Sequence, residues 1–195
     1  EGLKKEGIKY EIVPGEAKFY GPSLDVLIKD SLGREWQCST LQLDFNLPKR
    51  FELEFTAKDN KQHTPIMLHR VVFGSLERFI GVLLEHLNGN LPIWLSPIQA
   101  RVISFTDRNI KSAEKVHNEL KKAGVRVDFD FDSNTVNDKV RKAAEQKIPY
   151  IITIGDKEEQ KGTIAVKVRG ENKPKFDVNL TDFIKDLKDK IENRS

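Results

Sequence analysis

Few side chains in this sequence have the type and spacing that catalysis or metal binding needs, and Arg78 is the most suggestive. It follows Gly74 and Ser75 at the predicted start of a helix, where free backbone N–H groups and a guanidinium can converge on a phosphate. An ion pair with Glu77 is the competing use. His69 lies inside a predicted strand, with Met67 and Val71 two residues to either side. A metal site takes three or four ligands and no His/Cys spacing here supplies them, so a core histidine with satisfied hydrogen bonds is the more common explanation. His63, His86 and His117 read as surface residues. Cys38 has no His or Asn signature beside it and reads as a buried structural thiol. As the single cysteine it excludes an internal disulfide and fits a reducing compartment. Gln37 and Gln42 lie on a predicted strand; their amides can read an amino acid or a base, whereas exposed strand glutamines usually do nothing. Lys139, Arg141, Lys142 and Lys147 populate one predicted helix, most often the mark of a solvated face. A Gly-rich phosphate loop, paired catalytic carboxylates and a Ser-His-Asp grouping are all missing from the sequence.

These side chains need elements to position them. Residues 17–30 alternate apolar and polar positions, Ser31, Leu32 and Gly33 turn the chain, and residues 34–45 alternate again, which predicts an antiparallel hairpin. Trp36, Cys38, Thr40 and Gln42 would share one face and Gln37, Ser39, Leu41 and Leu43 the other, unless a bulge shifts the register. Residues 65–73 read as a third strand after the polar stretch 56–64. Leu76, Phe79, Ile80, Leu83, Leu84 and Leu87 then form one helical apolar stripe stopped by Asn88 and Gly89. Residues 88–98, with two prolines, read as a linker. Beyond it strand and helix alternate: strand 100–105, helix 107–123, strand 125–131, helix 135–147, strands 148–154 and 163–169 joined by the polar turn 155–162, and a helix over 179–191. That alternation predicts a mixed, mostly parallel sheet with helices on its faces. Two domains, 1–97 and 98–195, suit the length of 195 residues. Residues 1–99 carry 12 Lys and Arg against 13 Asp and Glu, and residues 100–195 carry 21 against 17. The basic excess sits in the second half, mild support for a polyanionic partner there. No run is long and apolar enough for a membrane helix, and the N-terminus has no apolar signal core, so a cytoplasmic protein is expected. A start at Glu1, within a charged segment, suggests part of a longer protein.

The stretches REWQCSTLQLDFNLPKRFELEF (34–55) and PIMLHRVVFGSLERFIGVLLEH (65–86) resemble the end of the catalytic domain of threonyl-tRNA synthetases. The likeness continues through PIWLSPIQARV, AGVRVDFD, IPYIITIGDKE and GTIAVKVR and covers nearly the whole chain. It implies an α/β and α+β fold class: a partial antiparallel class II synthetase sheet with its motif 3 helix, then a mixed-sheet α/β anticodon-binding domain. By this resemblance GSLERF (74–79) is the third class II motif, with Arg78 on ATP phosphate. His69 is one zinc ligand, the others lying upstream, and Tyr20, Gln37, Gln42 and Ser75 line the threonine and adenylate pocket. In the family the zinc also holds the threonine hydroxyl, so valine is rejected for want of a ligand oxygen. Glu158 matches an anticodon-reading glutamate and Arg141 a basic residue near the anticodon loop. Lys167 stands where the family has an arginine that contacts anticodon bases, and Ser133 where an asparagine is often found.

The resemblance implies a threonine–tRNA ligase that uses ATP with Mg²⁺ and Zn²⁺, takes threonine and threonine tRNA, and forms a homodimer. The chain lacks the first two class II motifs and is expected not to catalyse alone. Residues 1–97, a half-sheet with an uncovered apolar face, are expected to be marginal or self-associating. A stand-alone, non-enzymatic tRNA-binding module working with a separate catalytic chain is the alternative. A small-molecule-binding α/β domain rests on fold analogy only.

Overall fold

The computed structural model describes residues 2–194, which separate into two compact units with the boundary between His86 and Leu87. The first contains α1 (Gly2–Lys5), β1 (Ser23–Lys29), β2 (Glu35–Asp44), α2 (Leu47–Arg50), β3 (Phe55–Thr56), β4 (Gln62–His63), β5 (Met67–Val71) and α3 (Leu76–His86). Its main sheet has the order β1-β2-β5 and is antiparallel throughout, with β3 and β4 paired as a separate small hairpin in the stretch read as polar. Between β1 and β2 the chain turns on Asp30, whose Oδ1 accepts the N–H groups of Leu32 and Arg34, both at 2.9 Å.

The hairpin carries a bulge. Val26 lies opposite Ser39 but Leu27 lies opposite Gln37, so Cys38 is an extra residue of β2. An extra residue reverses the in-and-out alternation on one side of itself. Gln37 and Thr40 accordingly point the same way, and both donate to Asp25 Oδ1, at 2.7 and 2.5 Å. This corrects the strict alternation: Gln37 shares the face of Thr40 and Gln42, and Trp36 turns to the other. Cys38 is buried, as expected. The turn between β5 and α3 packs on this bulge. A Cβ at Gly74, where φ is +71°, would lie 2.3 Å from the Cys38 carbonyl oxygen. The apolar stripe of α3 is only half covered: Phe79 and Leu83 are partly buried while Leu76, Ile80 and Leu84 are exposed, as are Leu24, Val26 and Leu68 on the sheet.

The second unit contains β6 (Ala100–Ser104), α4 (Ile110–Lys122, entered through a 3₁₀ turn at Asp107–Asn109), β7 (Val127–Asp130), α5 (Val136–Glu145), β8 (Tyr150–Ile154), α6 (Asp156–Lys161), β9 (Ile164–Val168), β10 (Lys175–Val178) and α7 (Leu180–Glu192). The sheet runs β10-β9-β8-β6-β7, with β6 parallel to both β7 and β8 and the remaining two pairs antiparallel. It is mixed as predicted but evenly divided, because sequence reading missed the edge strand β10. The polar turn 155–162 contains α6, a short helix rather than an open hairpin.

Strand alternation builds two cores. Val102, Ile152, Ile154, Ile164 and Val166 face Ala113 and Leu120 of α4 and Phe183 and Leu187 of α7. Ile103 and Ile151 face Ala143 of α5 and Ile148. Every residue of β6 is buried, the expected condition of a central strand with helices on both faces. Residues 88–98, read as a linker, are fastened to this unit. Arg126 Nε donates to Ser96 O at 3.0 Å and its Nη2 to Trp94 O at 2.8 Å, while the fully buried Gln99 donates to Ile93 O at 3.0 Å.

Candidate functional site

In the first unit the register of β2 and β5 sets Gln42 opposite His69 and Thr40 opposite Val71. Together with the segment before β1 and the start of α2 they enclose a cavity of about 400 Å³ lined by Phe19, Tyr20, Gln42, Asp44, Asn46, Leu47, Arg50, His69 and Val71. Tyr20 OH donates to Gln42 Oε1 at 3.0 Å, and its ring meets His69 edge-on with centroids 6.5 Å apart. Three of the sequence-predicted site residues, Tyr20, Gln42 and His69, thus share one cavity.

Behind His69 stands Asp44, which the residue-type argument missed. It is 1% exposed, its Oδ2 lies 2.9 Å from His69 Nε2, and its Oδ1 accepts Asn46 N–H at 2.8 Å and Leu47 N–H at 3.0 Å. Burial pushes the Asp44 carboxyl up, but the hydrogen bonds from Leu47, His69 and Asn46 outweigh it and hold it below the usual carboxylate range. A carboxylate at that distance accepts from the Nε2–H of His69, which leaves Nδ1 as the ring nitrogen facing a ligand. The only signal for Asp44 in the sequence is its i, i+2 spacing from Gln42, which has meaning once both strands are in register.

The other predicted residues lie apart from this cavity. Arg78, exposed at the start of α3, donates from Nη1 to Gln37 O at 2.8 Å, with its guanidinium carbon 6.0 Å from the Trp36 ring centroid. Its expected competitor Glu77 instead accepts from Ser75 Oγ at 2.8 Å. Trp36, Arg78, Gly81, Val82 and Glu85 line a second hollow of about 350 Å³. Trp36 is anchored by Asp30, whose Oδ2 accepts the indole N–H at 2.9 Å and Arg34 Nε at 2.6 Å. The indole bond above all, and then Arg34, bring the Asp30 carboxyl down to about 2 against the upward push of burial. Gln37 presents its carbonyl to Arg78 and its side chain to Asp25, so it joins the arginine to the polar face of the sheet.

In the second unit Glu158 is the third residue of α6, and its Oε2 accepts the Gly155 N–H at 3.1 Å, capping its own helix. Lys167 lies opposite Ile151 on β9, on the side of the sheet that α5 covers, and its ammonium has no hydrogen-bond partner among the described residues. Arg141, exposed on α5, is tied to Asp138 at 2.6 Å and Glu145 at 2.7 Å, and these bonds hold its guanidinium above its ordinary basicity. None of the three is hydrogen-bonded to another among the described residues. Lys139 departs from the solvated-face expectation: it is 1% exposed and donates to Ser104 O at 3.0 Å and Ser104 Oγ at 3.3 Å. Among the described residues no helix is long and apolar enough to cross a membrane.

Comparison with known proteins assigns both units. Residues 1–87 match the tRNA synthetase class II core domain (G, H, P, S and T), and residues 99–190 match the anticodon binding domain. The chain thus joins the end of a class II aminoacyl-tRNA synthetase core domain to an anticodon binding domain. Among curated proteins, the threonine–tRNA ligase of Sulfurihydrogenibium sp. is 44% identical over 194 residues, covering 100% of this chain and 30% of the relative. That of Clostridium tetani is 45% identical over 192 residues, covering 98% and 30%. A crystal structure of the RNA binding domain of threonyl-tRNA synthetase from Cryptosporidium parvum is 35% identical, with a TM-score of 0.87 over 96% of this chain and 47% of that one. A putative threonyl-tRNA synthetase from Aeropyrum pernix is 31% identical with a TM-score of 0.72, covering 98% and 46%. The chain belongs to the threonyl-tRNA synthetase family, whose C-terminal part it matches, and it spans about 30% of the length of the curated relatives.

Proposed function

We propose that this chain is the C-terminal part of a threonine–tRNA ligase, which activates threonine with ATP and Mg²⁺ and transfers it to threonine tRNA, in the cytoplasm and as a homodimer. The observation that carries the proposal is the cavity in which Tyr20, Gln42 and His69 meet, with Asp44 behind the imidazole. Tyr20 and Gln42 position the amino acid through polar contacts, Gln37 and Ser75 extend the polar rim toward the adenylate, and Arg78 meets ATP phosphate. Catalysis by such a site is mainly positioning and charge stabilisation.

The residues present fit a contribution of one ligand to zinc. His69 is oriented by a carboxylate on Nε2 and keeps Nδ1 for metal, the usual arrangement of a ligating histidine and its carboxylate partner. Among the described residues no group of three or more His, Cys, Asp and Glu could hold an ion, so the remaining ligands belong to sequence outside this chain. Bound zinc would supply a Lewis-acidic point for the threonine amino and hydroxyl groups. The half-covered stripe of α3 supports the same division, with the rest of the core covering it.

The second domain, taken as residues 98–195, is proposed to read the anticodon through Glu158 and Lys167, with Arg141 near the loop. The test is binding of the chain to a threonine-tRNA anticodon stem-loop against the same stem with altered anticodon bases, at one fixed salt concentration. A preference of about tenfold, ~1.4 kcal/mol, supports anticodon reading. Equal binding to both by the folded chain, suppressed by salt alike, refutes it.

A further inference from the structure

Beside Glu158 stands an aromatic ring that the proposed function leaves unused. Phe105 follows β6 directly, its N–H donates to Ile154 O at 2.8 Å, and the residue is 56% exposed. Gly155 brings it next to the carboxylate: a Cβ on Gly155 would lie 3.0 Å from Glu158 Oε2 and 3.4 and 3.6 Å from Cβ and Cγ of Phe105. The two side chains flank one glycine at the carboxyl ends of the adjacent parallel strands β6 and β8, the place where open α/β sheets take ligands. The base of this arrangement is rigid. Ser104 is fully buried, with Lys139 Nζ donating to its carbonyl, and Glu158 Oε2 is fixed by the Gly155 N–H. Glu158 Oε1 has no partner among the described residues and is left to accept from outside.

We propose that Phe105 is a stacking platform for one unpaired nucleobase of the RNA, holding it so that its N–H edge meets Glu158 Oε1; this rests on the anticodon-reading function proposed above. A flat apolar face beside a fixed acceptor matches a base, which has a π face and an edge of N–H donors. Ring stacking supplies affinity without regard to sequence, and the carboxylate supplies the choice. Phosphate contacts play no part in it, so the residue acts independently of salt.

The test is binding of the wild-type chain, Phe105→Leu and Phe105→Trp to the threonine-tRNA anticodon stem-loop across a salt series. Leucine keeps apolar bulk without a π face, and loss of stacking is expected to weaken binding about tenfold or more with the salt slope unchanged. Tryptophan is expected to restore wild-type affinity or better it. Wild-type affinity in Phe105→Leu, while the wild-type chain still prefers the threonine anticodon, overturns the platform and spares the anticodon reading. Weakened binding in both variants together with a lowered melting temperature overturns it as well, since Phe105 then supports the fold. Absence of anticodon preference in the wild-type chain overturns the underlying reading and this inference with it.

Discussion

Gly74→Ala should damage the first unit far more than Gly33→Ala, although both glycines occupy the same backbone region. Their φ values are +71° and +79°, so alanine pays a left-handed penalty of about 1–2 kcal/mol at either site. At Gly33 nothing lies within 4 Å of the new methyl; at Gly74 it falls 2.3 Å from the Cys38 carbonyl oxygen and 3.1 Å from its carbon. Ordinary contact requires the turn or the bulge to retreat by about 1 Å, and overpacking of that kind costs about 1–3 kcal/mol. Gly74→Ala should therefore cost about 2–5 kcal/mol in all. The cost falls on the neighbour of Gln37, so the Arg78 bond to Gln37 O is broken with it. Hydrogen exchange is the assay, because a chain of two units has no single unfolding free energy. Amides of β2 around Cys38 should exchange roughly tenfold or more faster in Gly74→Ala than in Gly33→Ala, with the second unit unchanged. Equal loss of protection in the two variants would refute the close packing of the β5–α3 turn on the bulge.

In the second unit, Lys139→Ala should cost about 2–5 kcal/mol by leaving a cavity, whereas Lys139→Met, which refills most of it and removes a buried charge, should cost about 1–2 kcal/mol. Exchange rates in β6 and α5 measure both, and equal effects would contradict the full burial of that side chain. The Asp30 carboxyl, held at about 2, lies below its unfolded value, so its stabilisation is present above the usual carboxylate range and disappears as the pH falls through about 2. The Trp36 indole N–H signal should hold steady at pH 4 and shift only near pH 2; titration at an ordinary carboxylate value would show that the indole bond is absent. Arg126→Lys should free residues 91–98, since an ammonium cannot span the carbonyls of Ile93, Trp94 and Ser96. New proteolytic cuts within 91–98 are the expected readout, and an unchanged digestion pattern speaks against that anchor.

Periodicity exposed most of the fold. The strands β1, β2 and β5 and the helix α3 lie where alternation and the apolar stripe put them, and in the second half α4, α5 and α7 follow from their own patterns while the short α6 does not. What periodicity missed depends on contacts between segments distant in sequence. The bulge at Cys38 leaves no mark in residue types, yet it decides that Gln37 and Gln42 share a face. The edge strand β10 has two charged residues among four and no partner pattern of its own. Arg126 and Gln99 bind a segment that its prolines and glycine alone describe as loose. The candidate site divides in the same way: residue types pointed to Arg78 and the family resemblance to His69, while Asp44 has meaning only through the pairing of β2 with β5.

The two units handle their apolar surface differently, and this bears on how the chemistry is divided. In the second, α4, α5 and α7 cover both faces of the sheet, and the two buried basic side chains are bonded: Arg101 to Asp128 and Gln146, Lys139 to Ser104. A closed core of that kind holds Glu158 and Phe105 rigidly on its rim. In the first, three strands and one helix leave Ile80, Leu84 and Leu68 exposed, and the proposed zinc ligand is a single imidazole. Adjacent on β5, Leu68 and His69 point to opposite faces of the sheet, so the exposed apolar surface at Leu68 and the proposed zinc ligand lie on different sides of it. On the reading proposed above, base recognition rests on side chains of the second unit alone, Glu158 and Phe105, and can be tested on this chain.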